Sequence, residues 1–522
     1  MAIGTAIPPS CLAGAGDAPI VPAVEVVAIR PDEQCRRVLS LFEGARWPHP
    51  AAALADWKRS APPGEERSLG KPLEALIAAI NPLTARELAT LHGARLRIDP
   101  APAGGSVRWA LLVPQDDGTI AALATAMTLT DGMPQDAEGP LQIDRLGPPG
   151  APLSATAGPG TPAVVASDRD ALRSAIAGAG EGPDSARSDS DSDSGWIVRV
   201  DPEALARSAN LRARQLGRAL EGLGYGTFLA RASLDGESLR VAAEGKPFSG
   251  DRKDPWGEID PDWLDSVPTD RASVMACLAV RPGGEGWGAL LAAVDEIERA
   301  DPARVGVAPL RTRLALLAIA HGARIETELW PALEGVTCWA SFGGGGDADG
   351  VFLALHARDE GSAGRIADRI VSPIVLRGEE AGIDPGRRLG RIAGQPVDLA
   401  RRGSSVFIGW GDGVLDEGLA SLDDRDRSAG PLLRLGWGGA PPARVAAAWP
   451  SRLPIEAEQG GPLQAALEAG PPIVWLGWES EDGPRDVVRC DGLREPIRRF
   501  LDRVPAAPSP SGSSPIPEGS RP

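Results

Sequence analysis

At 522 residues, with 43% hydrophobic and 24% charged side chains, the chain has length for about three domains and the make-up of a folded, soluble protein. Its net charge of −17 disfavours a phosphate backbone, so nucleic acid is not expected as a partner. No apolar run approaches the ~20 residues of a membrane span; the longest candidate is Leu314 to Ala320, so no transmembrane segment is expected.

Residues 1–19 are small, poorly charged and interrupted by Pro and Gly. They read as a flexible segment lacking the basic and apolar regions of an export signal. Val24 to Arg30 reads as a short buried strand closed by Arg30-Pro31. Leu69, Leu73, Leu76, Ile77 and Ile80 recur at helical spacing, and Asn81-Pro82 ends that helix. A second helix over 83–91 is capped at Gly93. Strands are expected at 96–98 and 109–112, and Asp116-Asp117-Gly118 turns into a helix ending near Met127. A strand at 163–166, a helix over 170–177 and a strand at 196–200 follow.

Asp201-Pro202 supplies an N-cap and an N1 proline for the longest expected helix. Leu205, Ala209, Leu216, Leu220 and Leu223 would share its buried face. Phe228 to Leu234 and Leu239 to Ala243 form a hairpin about Asp235-Gly236, which suits a type I′ turn. Helices interspersed with hairpins argue for an α+β fold with mixed or mostly antiparallel sheets packed with helices.

Much of this order recurs downstream. Val274 to Arg281 ends in Arg281-Pro282, as Val24 to Arg30 ends in Arg30-Pro31. The strand near Leu96 is matched near Cys338, and Trp109 to Val113 by Val351 to Leu355. Val164 to Ala166 is matched by Val406 to Ile408. The hairpin about Asp235-Gly236 is matched by one about Asp482-Gly483. Five matches in one order, at offsets between 242 and 251, lead us to expect a tandem duplication: 20–250 as copy one and 270–505 as copy two. Residues 251–269, with Trp256 and Trp263, form the linker, and 506–522 a Pro/Ser-rich disordered tail.

The chemistry-bearing motifs fall short of their templates. Asp189, Asp191 and Asp193 have the alternation of a calcium loop, but Ser194 and Val200 stand where the EF-hand needs Gly and Glu. The run Gly343 to Gly346 lacks the Lys-Ser/Thr of a phosphate loop, and Gly409-Trp410-Gly411 lacks the third glycine of a dinucleotide fingerprint. His49, His92, His321 and His356 show no metal-ligand spacing, and Cys11, Cys35, Cys277, Cys338 and Cys490 no paired spacing. Arg207, Arg212, Arg214 and Arg218 read as a solvated stripe. No catalytic residue, metal or cofactor is therefore expected.

The ordered signature of Arg-Pro strand end, Asn81-Pro82 break, strand into Asp116-Asp117-Gly118 and late hairpin resembles bacterial domain-of-unknown-function proteins, often exported and internally duplicated. The resemblance implies an envelope or periplasmic location and an envelope partner, and brings no catalytic residues. The leading expectation is a non-catalytic binding or scaffold protein of two homologous domains. The alternative is a carboxylate-dependent hydrolase with its site in the cleft between the copies. Fourteen tryptophans against one tyrosine are unusual; burial is the commoner fate of such rings, and an exposed row would be a contact surface for carbohydrate or peptide. If the protein binds a partner, the contact is expected on copy two or at the seam, with any exposed surface of Trp410, Trp437, Trp449, Trp475 and Trp478 contributing. The oligomeric state is not legible in the sequence.

Overall fold

Leu333 to Ser341 alternates buried and half-buried residues along its whole length, the period-two pattern of a strand with one face on a core. It belongs to one antiparallel sheet that takes in every strand among the described residues. The computed structural model describes residues 22–41, 43, 92–100, 108–113, 133–138, 141–145, 153–156, 163–177, 195–247, 256–281, 285–300, 308–322, 324–342, 350–372, 388–392, 395–435, 437, 439–453, 462–480 and 483–503.

In the N-terminal half the strands are β1 (Val24–Ala28), β2 (Arg95–Asp99), β3 (Arg108–Val113), β4 (Met133–Glu138), β5 (Leu141–Arg145), β6 (Leu153–Thr156), β7 (Ala163–Ala166), β8 (Trp196–Val200), β9 (Tyr225–Asp235) and β10 (Ser238–Pro247). In the C-terminal half they are β11 (Val274–Ala279), β12 (Leu333–Ser341), β13 (Gly350–Ala357), β14 (Arg388–Ile392), β15 (Gln395–Arg402), β16 (Ser405–Trp410), β17 (Arg444–Ala448), β18 (Ile473–Ser480) and β19 (Gly483–Cys490).

The halves meet where β10 pairs with β19. Outward from that seam the first half runs β10, β9, β8, β1, β2, β3, β7, β6, β5 and β4. The second runs β19, β18, β17, β11, β12, β13, β16, β15 and β14. Apart from β4, each strand has a counterpart at the same distance from the seam and the same place in chain order. The fold is thus α+β, and its sheet is antiparallel at every pairing.

Several local expectations need correction. β1 stops at Ala28 because Arg30 adopts the left-handed conformation (φ 49°), which delivers Pro31 to the first turn of the helix Pro31–Ser40. The long helix is two. Asp201 caps Pro202–Ala206 by accepting the Ala204 N–H at 2.9 Å, and Asn210 caps a second helix, Leu211–Gly222, by accepting from Ala213. The break resets the helical register, so Leu216 is exposed instead of buried. Gly217 lets the two helices fold together: a Cβ there would lie 2.5 Å from the Pro202 carbonyl oxygen. The hairpin turn is centred on Gly236-Glu237, since Asp235 pairs with Ser238. Only Gly236 has positive φ, which fits glycine at the first turn position and not type I′.

Residues 256–269 pack into the second half. Ile259, Leu264 and Val267 join its core, and Trp263 stacks on His356 with ring centres 4.2 Å apart. Trp339, Phe352 and Phe407 fill the same core. A smaller core in the first half packs Leu112 and Val164 against Leu172 of the helix Arg169–Ala177. Besides the seam, the helix Leu211–Gly222 rests on the helix Glu285–Ala300, with Gly222 facing Ala293. Among the described residues no helix is long and apolar enough to cross a membrane.

Candidate binding groove at the seam

Successive residues of a strand point to opposite faces, so Asp486 and Val487 on β19 look out of opposite sides of the seam. The two sides differ in kind: one is closed by a buried ionic cluster and the other is open.

On the closed side Arg444 (β17), Gly477 (β18) and Asp486 (β19) lie in one cross-strand row. Gly477 leaves the space through which the guanidinium reaches across β18: a Cβ would stand 2.5 Å from both Arg444 Nε and Asp486 Oδ1. Arg444 donates to Glu479 at 2.5 Å and to Asp486 at 3.4 Å. Its guanidinium lies 4.4 Å from the centre of the Trp256 ring. Asp486 also accepts from Trp475 Nε1 at 3.1 Å and from the Tyr225 hydroxyl at 2.5 Å. Burial pushes the Asp486 carboxyl up, with Arg444 and Tyr225 opposing it, and burial likewise pushes the Tyr225 phenol up. Tyr225 comes from the first half, Trp256 from the connector and the rest from the second half. The cluster is a clasp in which Arg444, Asp486, Glu479, Tyr225 and Trp475 bond to one another, while Arg444 Nε is buried without a hydrogen-bond partner.

The open side is a groove of about 700 Å³. Ser233 and Asp235 of β9, Ser238 and Arg240 of β10, and Val487 and Arg489 of β19 line it, with Asp491 just beyond. Val474 and Leu476 of β18 continue the floor. Arg37 of the helix Pro31–Ser40 stands on one bank, and Leu432 and Leu435 of the second half on the other. Arg240 and Arg489 are direct cross-strand partners. Arg489 is held by Asp491 at 2.5 Å, and Arg37 by Glu33 at 2.6 Å and by the Leu234 carbonyl at 2.8 Å. Burial alone would raise the Asp491 carboxyl, but hydrogen bonds from Arg489 and Ser238 outweigh it and hold it below the usual range.

The five tryptophans named from the sequence present only partial aromatic surface, and none of them is fully exposed. Trp449 is buried, and Trp410, Trp437, Trp475 and Trp478 are half-buried. The indoles of Trp437 and Trp478 donate to the carbonyls of Leu433 and Ala440. Tryptophan here bonds its ring nitrogen while filling space beside the sheet.

Of the other motifs, Asp189 to Asp193, Gly343 to Gly346, His49 and Cys11 lie outside the described residues. Gly409 serves close packing, because a Cβ would stand 2.5 Å from the Leu415 nitrogen of the helix Val414–Asp423. Arg207 pairs with Glu203 on an exposed helix face. His92 Nδ1 accepts the Arg30 N–H at 3.2 Å, holding the left-handed residue in place. His356 sits in a buried chain: Thr337 Oγ1 lies 3.0 Å from its Nε2 and 3.1 Å from Cys277 Sγ, and Ser405 Oγ lies 2.9 Å from its Nδ1. Burial lowers the His356 pKa to about 3 and pushes the Cys277 thiol up to about 12. The pair is a neutral core contact, not an activated thiol. Cys35, Cys277, Cys338 and Cys490 are all free. Among the described residues no group of His, Cys, Asp and Glu could hold a metal ion.

Sequence reasoning did not single out Arg240, Arg489, Arg444 or Asp486. Each is an ordinary charged residue in a strand, and only the pairing of β10 with β19 brings the first two together. No family model, curated protein or solved structure matches the chain.

Proposed function

We propose that the protein is a non-catalytic binding protein built of two copies of one domain, and that the groove at the seam is its binding site. The duplication is supported by the shared strand order outward from β10 and β19. The binding reading is carried by one observation: both halves supply the walls of the groove, so the site exists only when they are joined.

The carboxylate-hydrolase alternative has less support. It needs two neighbouring carboxyls with pKa values driven apart, one protonated and one ionised. The groove offers Asp235 and Asp491, and Asp491 is held ionised by Arg489 and Ser238. Asp99 is raised by burial near Asp168, but both belong to the first half and neither lines the groove.

The experiment is affinity capture with the full chain from its native organism, run beside Leu435→Asp. Leu435 is 56% exposed at the lip of the groove, so the substitution leaves the core intact. A partner captured by the wild type and lost with Leu435→Asp is the expected result. Equal capture by both chains overturns the assignment of the groove, and turnover of an ester, amide or glycoside abolished by Asp491→Asn overturns the non-catalytic reading.

A further inference from the structure

The groove is divided by chemistry. Its second-half bank is apolar, made by Leu432, Leu435, Val474 and Leu476, while its first-half bank is polar and carries Arg240. Arginines directly opposite one another in a ladder repel, and nothing in the sheet requires the pair to be there. Arg489 has its answer in Asp491. Arg240 is exposed and makes no ion pair or hydrogen bond with any described residue. It is a guanidinium presented to the groove in a chain of net charge −17.

Resting on the reading of the groove as a binding site, we propose that its occupant is an acidic, apolar segment of a protein partner, whose carboxylate meets Arg240 while its apolar side chains lie on Leu432 and Leu435. The planar fork of a guanidinium matches a carboxylate in two parallel hydrogen bonds. Asp235 and Asp491 make the groove hostile to a dense polyanion, which rules against nucleic acid, yet they leave room for a single carboxylate. The same aspartates, with Ser233 and Ser238, are acceptors for backbone N–H groups. A peptide has such donors and a fatty acid has none, so the polar bank favours a peptide. The volume of about 700 Å³ lies within the range of clefts that bury a drug-sized ligand.

The test selects phage-displayed random dodecapeptides on the full chain. The enriched peptide and its Asn/Gln counterpart are then measured by fluorescence anisotropy against the wild type, Arg240→Ala and Leu435→Asp. Circular dichroism melts check that the variants fold. The expected result is enrichment of sequences that place Asp or Glu beside apolar residues. The acidic peptide should bind Arg240→Ala at least about tenfold more weakly, and the neutral peptide should not distinguish the two proteins. If enriched peptides lack acidic residues, or Arg240→Ala binds them unchanged while Leu435→Asp does not, the groove stands and the carboxylate assignment falls. If Leu435→Asp also binds unchanged, or no peptide is enriched, both fall.

Discussion

Val241 and Val488 stand directly opposite one another where β10 meets β19. They are 247 positions apart in the chain. The two hairpins are related by an offset of 245, since the closing pair Asp235–Ser238 of the first corresponds to Ser480–Gly483 of the second. With the halves as copies, as proposed, that offset places the approximate two-fold axis between Ala242 and Val487, the next pair along the seam. Residues on either side of that pair differ between the halves: Val241 answers to Asp486, and Ala243 to Val488. The sheet is repetitive, and what is chemically particular about the seam lies in those departures.

Arg444 at the clasp is almost wholly buried, so its partners cannot be exchanged for water. Removing one member of a buried ionic pair leaves the other charge uncompensated. Arg444→Met should lower unfolding free energy by about 3–5 kcal/mol. Asp486→Asn, which keeps the Trp475 and Tyr225 contacts in reach, should cost less. The double variant should be less destabilised than the sum of the singles, because they share one interaction. Denaturant titration of the four proteins checks this, and additive losses would show that the two side chains do not communicate.

Gly477 offers a separate test of the same geometry. An alanine there would press on Arg444 and Asp486 at once, between strands that leave little room to shift. Overpacking of this kind costs roughly 1–3 kcal/mol. Gly477→Ala should therefore melt lower than the wild type, and Gly477→Ala in an Arg444→Met background should lose much less. An unchanged melting temperature in the wild-type background would contradict the close approach.

The α+β class was legible because short apolar runs such as Trp109 to Leu112 and Ala163 to Ala166 are buried strands. By contrast β4, β5, β6, β14 and β15 went unread. Of β12 only Cys338 to Ala340 was read, because the side chains it buries are Leu, Gly, Thr, Trp and Ser and leave no apolar alternation. The N-cap at Asp201 was legible for a similar reason, its cause being local. The break before Asn210 was missed, because apolar spacing on both sides can be fitted by one uninterrupted helix. The groove was not legible at all. Arg240 and Arg489 become neighbours only through the pairing of the two halves, and residue spacing carries no record of that register. The tryptophans could not be placed from composition, which does not distinguish a ring on the surface from one packed with its nitrogen bonded.

Ile319 is 79% exposed and Leu316 58% exposed on the helix Leu310–His321. Burial there contributes little to folding, so Ile319→Ser should change stability by less than about 0.5 kcal/mol. A chemical denaturation curve is sufficient. A loss above about 2 kcal/mol would mean that the side chain is covered in solution, and sedimentation at increasing concentration would then identify a second copy as the cover.

The thiol of Cys277 is buried and accepts a hydrogen bond from Thr337 at 3.1 Å. With its pKa pushed up to about 12, almost no thiolate exists at pH 8. Native protein should resist modification of Cys277 by a disulfide reagent, and mass mapping should find the label there only after denaturant is added. Fast labelling of the native chain would place the residue in contact with solvent.

His356 gives the protein a built-in acid sensitivity whose sign follows from its burial. Its pKa is lowered from 6.5 to about 3 in the folded chain by loss of hydration. Above pH 6.5 the ring is neutral in both folded and unfolded states, and its stabilising contribution is complete. As pH falls below 6.5 the unfolded chain takes up a proton that the folded chain refuses. Stability should then decline by about 1.4 kcal/mol per pH unit from this residue until the folded pKa is approached. Paired carboxylates also lose stability in acid, so the test is a comparison. His356→Gln keeps a group able to bond Thr337 and Ser405 and carries no charge at any pH. It should be less stable than the wild type at pH 8, because the stack on Trp263 is lost. Its stability should nonetheless fall less steeply between pH 6.5 and 4. Parallel slopes for the two proteins over that range would show that His356 is protonated without penalty, and so not sealed in the core as the structure has it.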